Sequence, residues 1–262
     1  MLEEAETEEG RMARTPVEIT TDDGICPASV FRASGSAAGP WPGVIFYMDG
    51  PGIRPVLFEM AQRLANEGFL VLLPDLFYRA GPYQPVDVKT LFSDPEKRAA
   101  HAKYFNSIDK TKAANDTKAF LRFLDAEDDL AGQKLGVIGY CAGGGMALTV
   151  AARYPERFAA AASFHGASLA TDADDSPHKL AAHIKAKVLV AGADKDKSFP
   201  PEQAALLASA FKDAGVDHRV EIWEGVAHGW TMRDFAIYNQ AAAERHFQEL
   251  VALFSETLRS TT

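Results

Sequence analysis

The sequence predicts an α/β protein, a mostly parallel central sheet with helices on both faces. Three observations carry that expectation. Apolar runs of strand length alternate with stretches of helical periodicity, the order that builds a parallel sheet through right-handed crossovers. Runs such as Val44–Met48 and Phe69–Leu73 are continuously apolar, which suits strands buried on both faces. Near the middle of the chain a strand runs through Gly-x-Cys-x-Gly straight into an alanine-rich helix.

Composition bounds the function classes. The 262 residues are 47% hydrophobic and 24% charged, ordinary values for a globular chain with a sizeable core. No apolar run reaches the roughly 18 residues of a membrane span. A net charge of −9 argues against nucleic acid, which needs a basic face. Residues 1–14 hold five glutamates against Arg11 and Arg14, with no basic start and no apolar core. They read as a solvated, disordered acidic tail and not as a signal peptide, with residues 15–262 forming one domain. Two cysteines, Cys26 and Cys141, make no disulfide framework. The expected location is cytoplasmic.

The elements follow in order. Val17–Thr20 and Ala28–Ala33 flank the turn signal Asp22-Asp23-Gly24 and suggest an opening hairpin. A Gly/Pro/Ser loop over Ser34–Gly43 leads to the strand Val44–Met48. Phe58, Ala61, Leu64 and Ala65 have helical spacing and stop at Gly68, before the strand Phe69–Leu73. Leu76–Pro95 breaks the rhythm with Gly, Pro and aromatics, as a loop forming a pocket wall would. Helical pattern returns over Glu96–Phe105 and Lys112–Ala126. Strands are then expected at Lys134–Tyr140, Phe158–Phe164, Val188–Ala191 and Arg219–Trp223, with helices at Ala142–Arg153, Pro200–Ala214 and Tyr238–Leu258. No repeat or low-complexity linker divides the chain.

The chemistry is centred on Gly139-Tyr140-Cys141-Ala142-Gly143. A side chain raised on a sharp strand-to-helix turn leaves little room two positions before and after, which explains both glycines. The turn sets the sulfur at a helix N-terminus, where unpaired N–H groups favour a thiolate. The Ala142 N–H would face a substrate carbonyl as one oxyanion donor. Phosphate-binding glycine patterns are absent, and in this setting a nucleophile outweighs an inert buried cysteine. A nucleophile also needs a base and a group to orient it. Asp196 ends one strand 55 residues on, and His228 follows another 32 later, so the order Cys…Asp…His is met. Asp194 competes with Asp196, which is preferred because it precedes the helix opening at Pro200.

The remaining candidates are weaker. His101 and His246 fall in helical patterns and are expected to be solvated, while His165 ends a strand where it would line the pocket or serve structure. Cys26, among Ile25, Pro27 and Val30, reads as structural. No metal-ligand spacing occurs, and no cofactor is expected.

On the motifs Gly-Tyr-Cys-Ala-Gly-Gly at 139–144, Gly-Ala-Asp-Lys-Asp-Lys-Ser-Phe-Pro at 192–200, Ala-His-Gly-Trp at 227–230 and Pro-Asp-Leu-Phe at 74–77, the chain resembles the dienelactone hydrolase family of the α/β-hydrolase fold. The resemblance covers most of residues 15–258. It favours Asp196 as the acid, because Phe199-Pro200 follows at the family spacing. It implies an acid contacting the resting cysteine at Asp49, where family members often carry glutamate, and a second oxyanion donor at the Gly50 N–H. Family members acting on dienelactone hold its carboxylate with arginines. One follows the catalytic histidine by four positions, where this chain has Met232 with Arg233 next to it; Arg98 is the other candidate anchor, with a plain surface arginine as its favoured reading.

The expected activity is hydrolysis of an ester or lactone through Cys141, His228 and Asp196, with a thioester acyl-enzyme. The partner is a small-molecule substrate, with no nucleic acid or membrane, and the chain a monomer or homodimer. The alternative is a non-catalytic binding or regulatory module of the same fold, which would have no need of the three residues together. A redox-active thiol lacks a resolving cysteine nearby in sequence.

Overall fold

The computed structural model describes residues 12–35 and 38–259. Most of the expected acidic tail, residues 1–11, lies outside them, and Arg14 already belongs to the first strand. Eight strands form one sheet: β1 (Arg14–Thr21), β2 (Gly24–Phe31), β3 (Trp41–Tyr47), β4 (Leu70–Pro74), β5 (Leu130–Tyr140), β6 (Phe158–Phe164), β7 (Lys187–Lys195) and β8 (His218–Ala227). Their spatial order is β1-β2-β4-β3-β5-β6-β7-β8. β1 and β2 form the expected hairpin, closing at Thr21 opposite Gly24, and β2 runs antiparallel to β4. The other five pairings are parallel.

Helices α1 (Pro55–Asn66), α2 (Val88–Ser93), α3 (Pro95–Phe105), α4 (Lys110–Asp125), α5 (Ala142–Arg153), α6 (Pro201–Asp213) and α7 (Gln240–Leu258) supply the crossovers and the flanks. Neighbouring residues of β3 show that both faces are covered, since strand side chains alternate. Tyr47 bonds Thr117 of α4 on one face, 2.5 Å apart. Phe46, on the other, lines a crevice with residues of α1 and α7. The central strands β3 to β6 are almost wholly buried at their carboxyl ends, so their unbroken apolar sequence follows from having no solvent face.

The segment expected as a loop, Leu76–Pro95, holds more structure than its composition suggests. A 3₁₀ turn covers Leu76–Ala80, opened by Asp75, whose carboxylate accepts the Phe77 N–H at 3.0 Å. Asp87 and Asp94 cap α2 and α3 in the same way. The intervening stretch is pinned by Tyr83, whose hydroxyl accepts the Ile53 N–H at 2.9 Å and donates to Asp75 at 3.2 Å. This holds α2 and α3 over the carboxyl edge of the sheet, next to the loop after β3.

Two histidine expectations are corrected. His101 and His246 are buried, because each finds a partner from a distant segment. His101 Nε2 meets the Gly50 carbonyl at 2.9 Å, tying α3 to the loop after β3. His246 Nε2 meets the Tyr140 hydroxyl at 3.0 Å, tying α7 to the end of β5. Among the described residues no helix is long and apolar enough to cross a membrane.

Candidate active site

Cys141 stands between β5 and α5 with φ 55° and ψ −119°. A non-glycine residue at positive φ carries a backbone cost of about 1–3 kcal/mol, and the surroundings must enforce it. Here they do. A Cβ on Gly139 would fall 1.8 Å from the Gly143 carbonyl oxygen, and one on Gly143 would fall 2.5 Å from the Met48 carbonyl oxygen. Both positions therefore admit only glycine, and the turn can close tightly enough to raise the sulfur above the sheet edge. The Cys141 N–H donates to Phe164 O at 3.2 Å, and its carbonyl accepts from Gly144 and Ala167. Ala142 is the first residue of α5, so its N–H lacks an intrahelical partner.

The loop after β8 brings His228 to the cysteine. Its Nδ1 donates to Asp196 Oδ2 at 2.7 Å, which leaves Nε2 as the ring nitrogen for sulfur. Asp196, at the end of β7, has a side chain only 1% exposed. Its other oxygen accepts both the Ser198 N–H at 2.8 Å and the Ser198 hydroxyl at 2.5 Å. These bonds hold its pKa below the ordinary carboxylate value despite burial. Burial works against a charged His228, yet bonding to Asp196 and Cys141 outweighs it and raises the imidazole to about 10. Ser198 also lies 3.1 Å from His228 Nδ1. It was not singled out from sequence, though Asp-x-Ser after a strand is the signal that would have found it.

Asp194 has a different task. Its carboxylate accepts the N–H groups of Gly225 and Val226 at 3.0 and 3.1 Å, fixing the approach to the histidine loop. Geometry thus separates the two acids in favour of Asp196 at the histidine.

Asp49, the acid expected at the resting cysteine, is held by Arg54. Arg54 takes both of its oxygens, Nη1 to Oδ1 at 2.5 Å and Nη2 to Oδ2 at 2.9 Å. Arg54 Nε continues to Asp234 at 2.6 Å, and Nη1 also donates to Gly52 O at 3.0 Å. The guanidinium is only 3% exposed. Burial disfavours its charge, but the two carboxylates reverse that and hold it protonated. One buried side chain thereby clamps the Asp49–Gly52 loop, which carries Gly50, to the segment after His228. Sequence offered no signal for Arg54, because both of its partners come from loops.

The three candidate substrate residues differ in setting. His165 is fully buried, so it cannot touch a substrate. Its Nε2 meets the Thr231 hydroxyl at 2.7 Å, and its ring packs edge-on against His228 at 5.3 Å. Burial and the neighbouring His228 keep it neutral. Arg233 is exposed and paired with Glu59 of α1. Arg98 is exposed on α3, its Nη1 3.5 Å from the Phe92 carbonyl. Met232 is buried in the core. Cys26, read from sequence as structural, is buried, with its thiol pKa pushed up by burial.

Comparison with known proteins agrees with this architecture. The chain is 28% identical over 221 residues to "Protein usf" of Aquifex pyrophilus, covering 83% of this chain and 89% of that one. It is 24% identical over 232 residues to a Synechocystis protein named "Putative carboxymethylenebutenolidase", covering 87% and 92%. A solved structure titled as a dienelactone hydrolase-like promiscuous phosphotriesterase from metagenomic libraries superposes with a TM-score of 0.73 at 25% identity, covering 95% of this chain and 99% of that one. The family model described as "Dienelactone hydrolase family" matches residues 28–258, from within β2 to the end of α7. The chain belongs to that family, as a hydrolase of the α/β-hydrolase fold.

Proposed function

We propose that the protein hydrolyses a carboxylic ester or lactone by acyl transfer to Cys141. The supporting observation is the unbroken chain of contacts from Asp196 through His228 to the cysteine on its strained turn. The Cys141 sulfur attacks the carbonyl carbon while the N–H groups of Gly50 and Ala142 bind the oxyanion. His228, as imidazolium, gives its proton to the leaving alkoxide, and a thioester remains. The neutral imidazole then takes a proton from water, which attacks the thioester and releases the acid, returning the proton to the Cys141–His228 pair. Asp196 holds the ring in the orientation that presents Nε2, and Ser198 holds Asp196. The substrate is a small molecule. We read residues 15–262 as one catalytic domain working in the cytoplasm.

Hydrolysis of an aryl acetate by the native protein and by Cys141→Ala tests this. Loss of the nucleophile should lower kcat by about 10⁴-fold or more with the fold intact. Native activity in the variant would refute the assignment and leave the binding-module reading.

A further inference from the structure

The surroundings of the cysteine point to the kind of ester it takes. Among the described residues six large apolar side chains are exposed, and three of them flank this site: Phe92 at 54%, Phe105 at 46% and Ile237 at 41%. Phe105 covers Gly50 so closely that a Cβ there would sit 3.2 Å from its ring. Ile237 and Phe235 cover Gly229, next to His228, at 3.3 and 2.6 Å from the corresponding Cβ position. Phe92 packs edge-on against Phe235 at 5.4 Å. Both sides of the proposed oxyanion site and base are thus walled by apolar surface. Scattered exposed apolar residues need no explanation, but a cluster around a reactive group does.

The charges nearby do not favour an anion. Arg54 is the buried cation of this region, and it is committed to Asp49 and Asp234, one guanidinium between two carboxylates. Arg233 faces Glu59, and the position four residues past His228 is the buried Met232. Arg98 is exposed, where attraction for a carboxylate is weak. A substrate carboxylate would lose water here without gaining a buried partner.

We propose that the site selects an uncharged ester with apolar substituents, which lie against Phe105 on the Gly50 side and against Phe235, Ile237 and Phe92 on the His228 side. This rests on the proposed hydrolysis at Cys141. The leaving group must reach His228, so it lies along Phe235 and Ile237, and the acyl chain extends past Phe105.

Three p-nitrophenyl esters test it: the acetate, the hexanoate, and the monoester of adipic acid, which carries a carboxylate at the end of the same six-carbon acyl chain. Each is run with native protein, with Cys141→Ala and with the double variant Phe105→Ala, Ile237→Ala, whose exposed positions leave the fold in place. The hexanoate should exceed the acetate in kcat/KM by about tenfold, allowing for partial burial of four methylenes. It should exceed the adipate monoester by about tenfold or more, and the double variant should lose most of the advantage over acetate. An adipate monoester turned over as well as the hexanoate would overturn the proposal, and its loss in Arg98→Gln would then identify an anchor. A hexanoate advantage that is absent, or unchanged in the double variant, would also overturn it while leaving the hydrolysis intact. No Cys141-dependent turnover of any ester would remove the hydrolysis itself.

Discussion

Arg54 holds both carboxylate oxygens of Asp49 and reaches Asp234 with its Nε, so a single buried guanidinium joins the loop after β3 to the segment after His228. The two segments are far apart in sequence and carry the proposed oxyanion donor and base. Removing the guanidinium leaves Asp49 buried without a partner. Arg54→Met should destabilise the protein by about 3–5 kcal/mol, the cost typical of breaking a buried pair from one side. Asp234→Asn should cost less, because Asp234 is 31% exposed. Urea denaturation of the three proteins checks the order.

The Cys141 turn makes a second prediction. A methyl group on Gly139 would fall 1.8 Å from the Gly143 carbonyl oxygen, and neither backbone can move without opening the turn. Gly139→Ala should fold poorly or lose all activity. Gly132→Ala, at positive φ but with open space around it, should cost only about 1 kcal/mol and keep activity. Soluble yield, thermal midpoint and ester turnover of the pair give the comparison.

In the proposed reaction His228 sets the pH dependence. Its imidazole is raised to about 10 in the folded protein, above the ordinary value of 6.5. The charged ring therefore contributes stability that is fully present below about pH 6.5 and lost as pH rises through about 10. In the proposed reaction the imidazolium protonates the leaving group and disappears over the same upper range, so kcat/KM should fall above about pH 10. In Asp196→Asn the alkaline limb should move to lower pH and the pH dependence of the denaturation midpoint should flatten. An unmoved limb would mean that another group sets it.

The two cysteines should react differently. Cys141 is partly exposed, whereas Cys26 is fully buried, with its thiol pushed up by burial. Iodoacetamide should label Cys141 alone in the native protein and both residues after unfolding, as peptide mass spectrometry will show.

Much of this was legible because the signals were local. β6 matched its expected limits residue for residue, since an apolar run bounded by Arg157 and His165 leaves little choice. β5, β7 and β8 run longer than expected, because strand pairing continues past the apolar runs, with Leu130 opposite Trp41 and Lys195 opposite Ala227, which hydrophobic pattern does not report. Cys141 and its glycines announced themselves through a backbone that tolerates little else. What could not be read depended on partners from distant segments. His101 and His246 fall on helices and looked solvated, yet Gly50 and Tyr140 bury them. The Asp49 expectation failed to foresee Arg54, five residues on, which takes both oxygens. His165 sits at the strand end as expected, but Thr231 and Trp230 close over it and keep it from the substrate side.

In the proposed reaction the acyl group passes through sulfur. Mixing the native protein with p-nitrophenyl acetate at mildly acidic pH, quenching in acid and mapping peptides tests it directly. One acetyl group is expected on the peptide bearing Cys141, formed with the burst of p-nitrophenol, absent from Cys141→Ala and decaying as acetate appears. Steady turnover with the acetyl group on another residue, or with Cys141→Ala as active as the native protein, would contradict it.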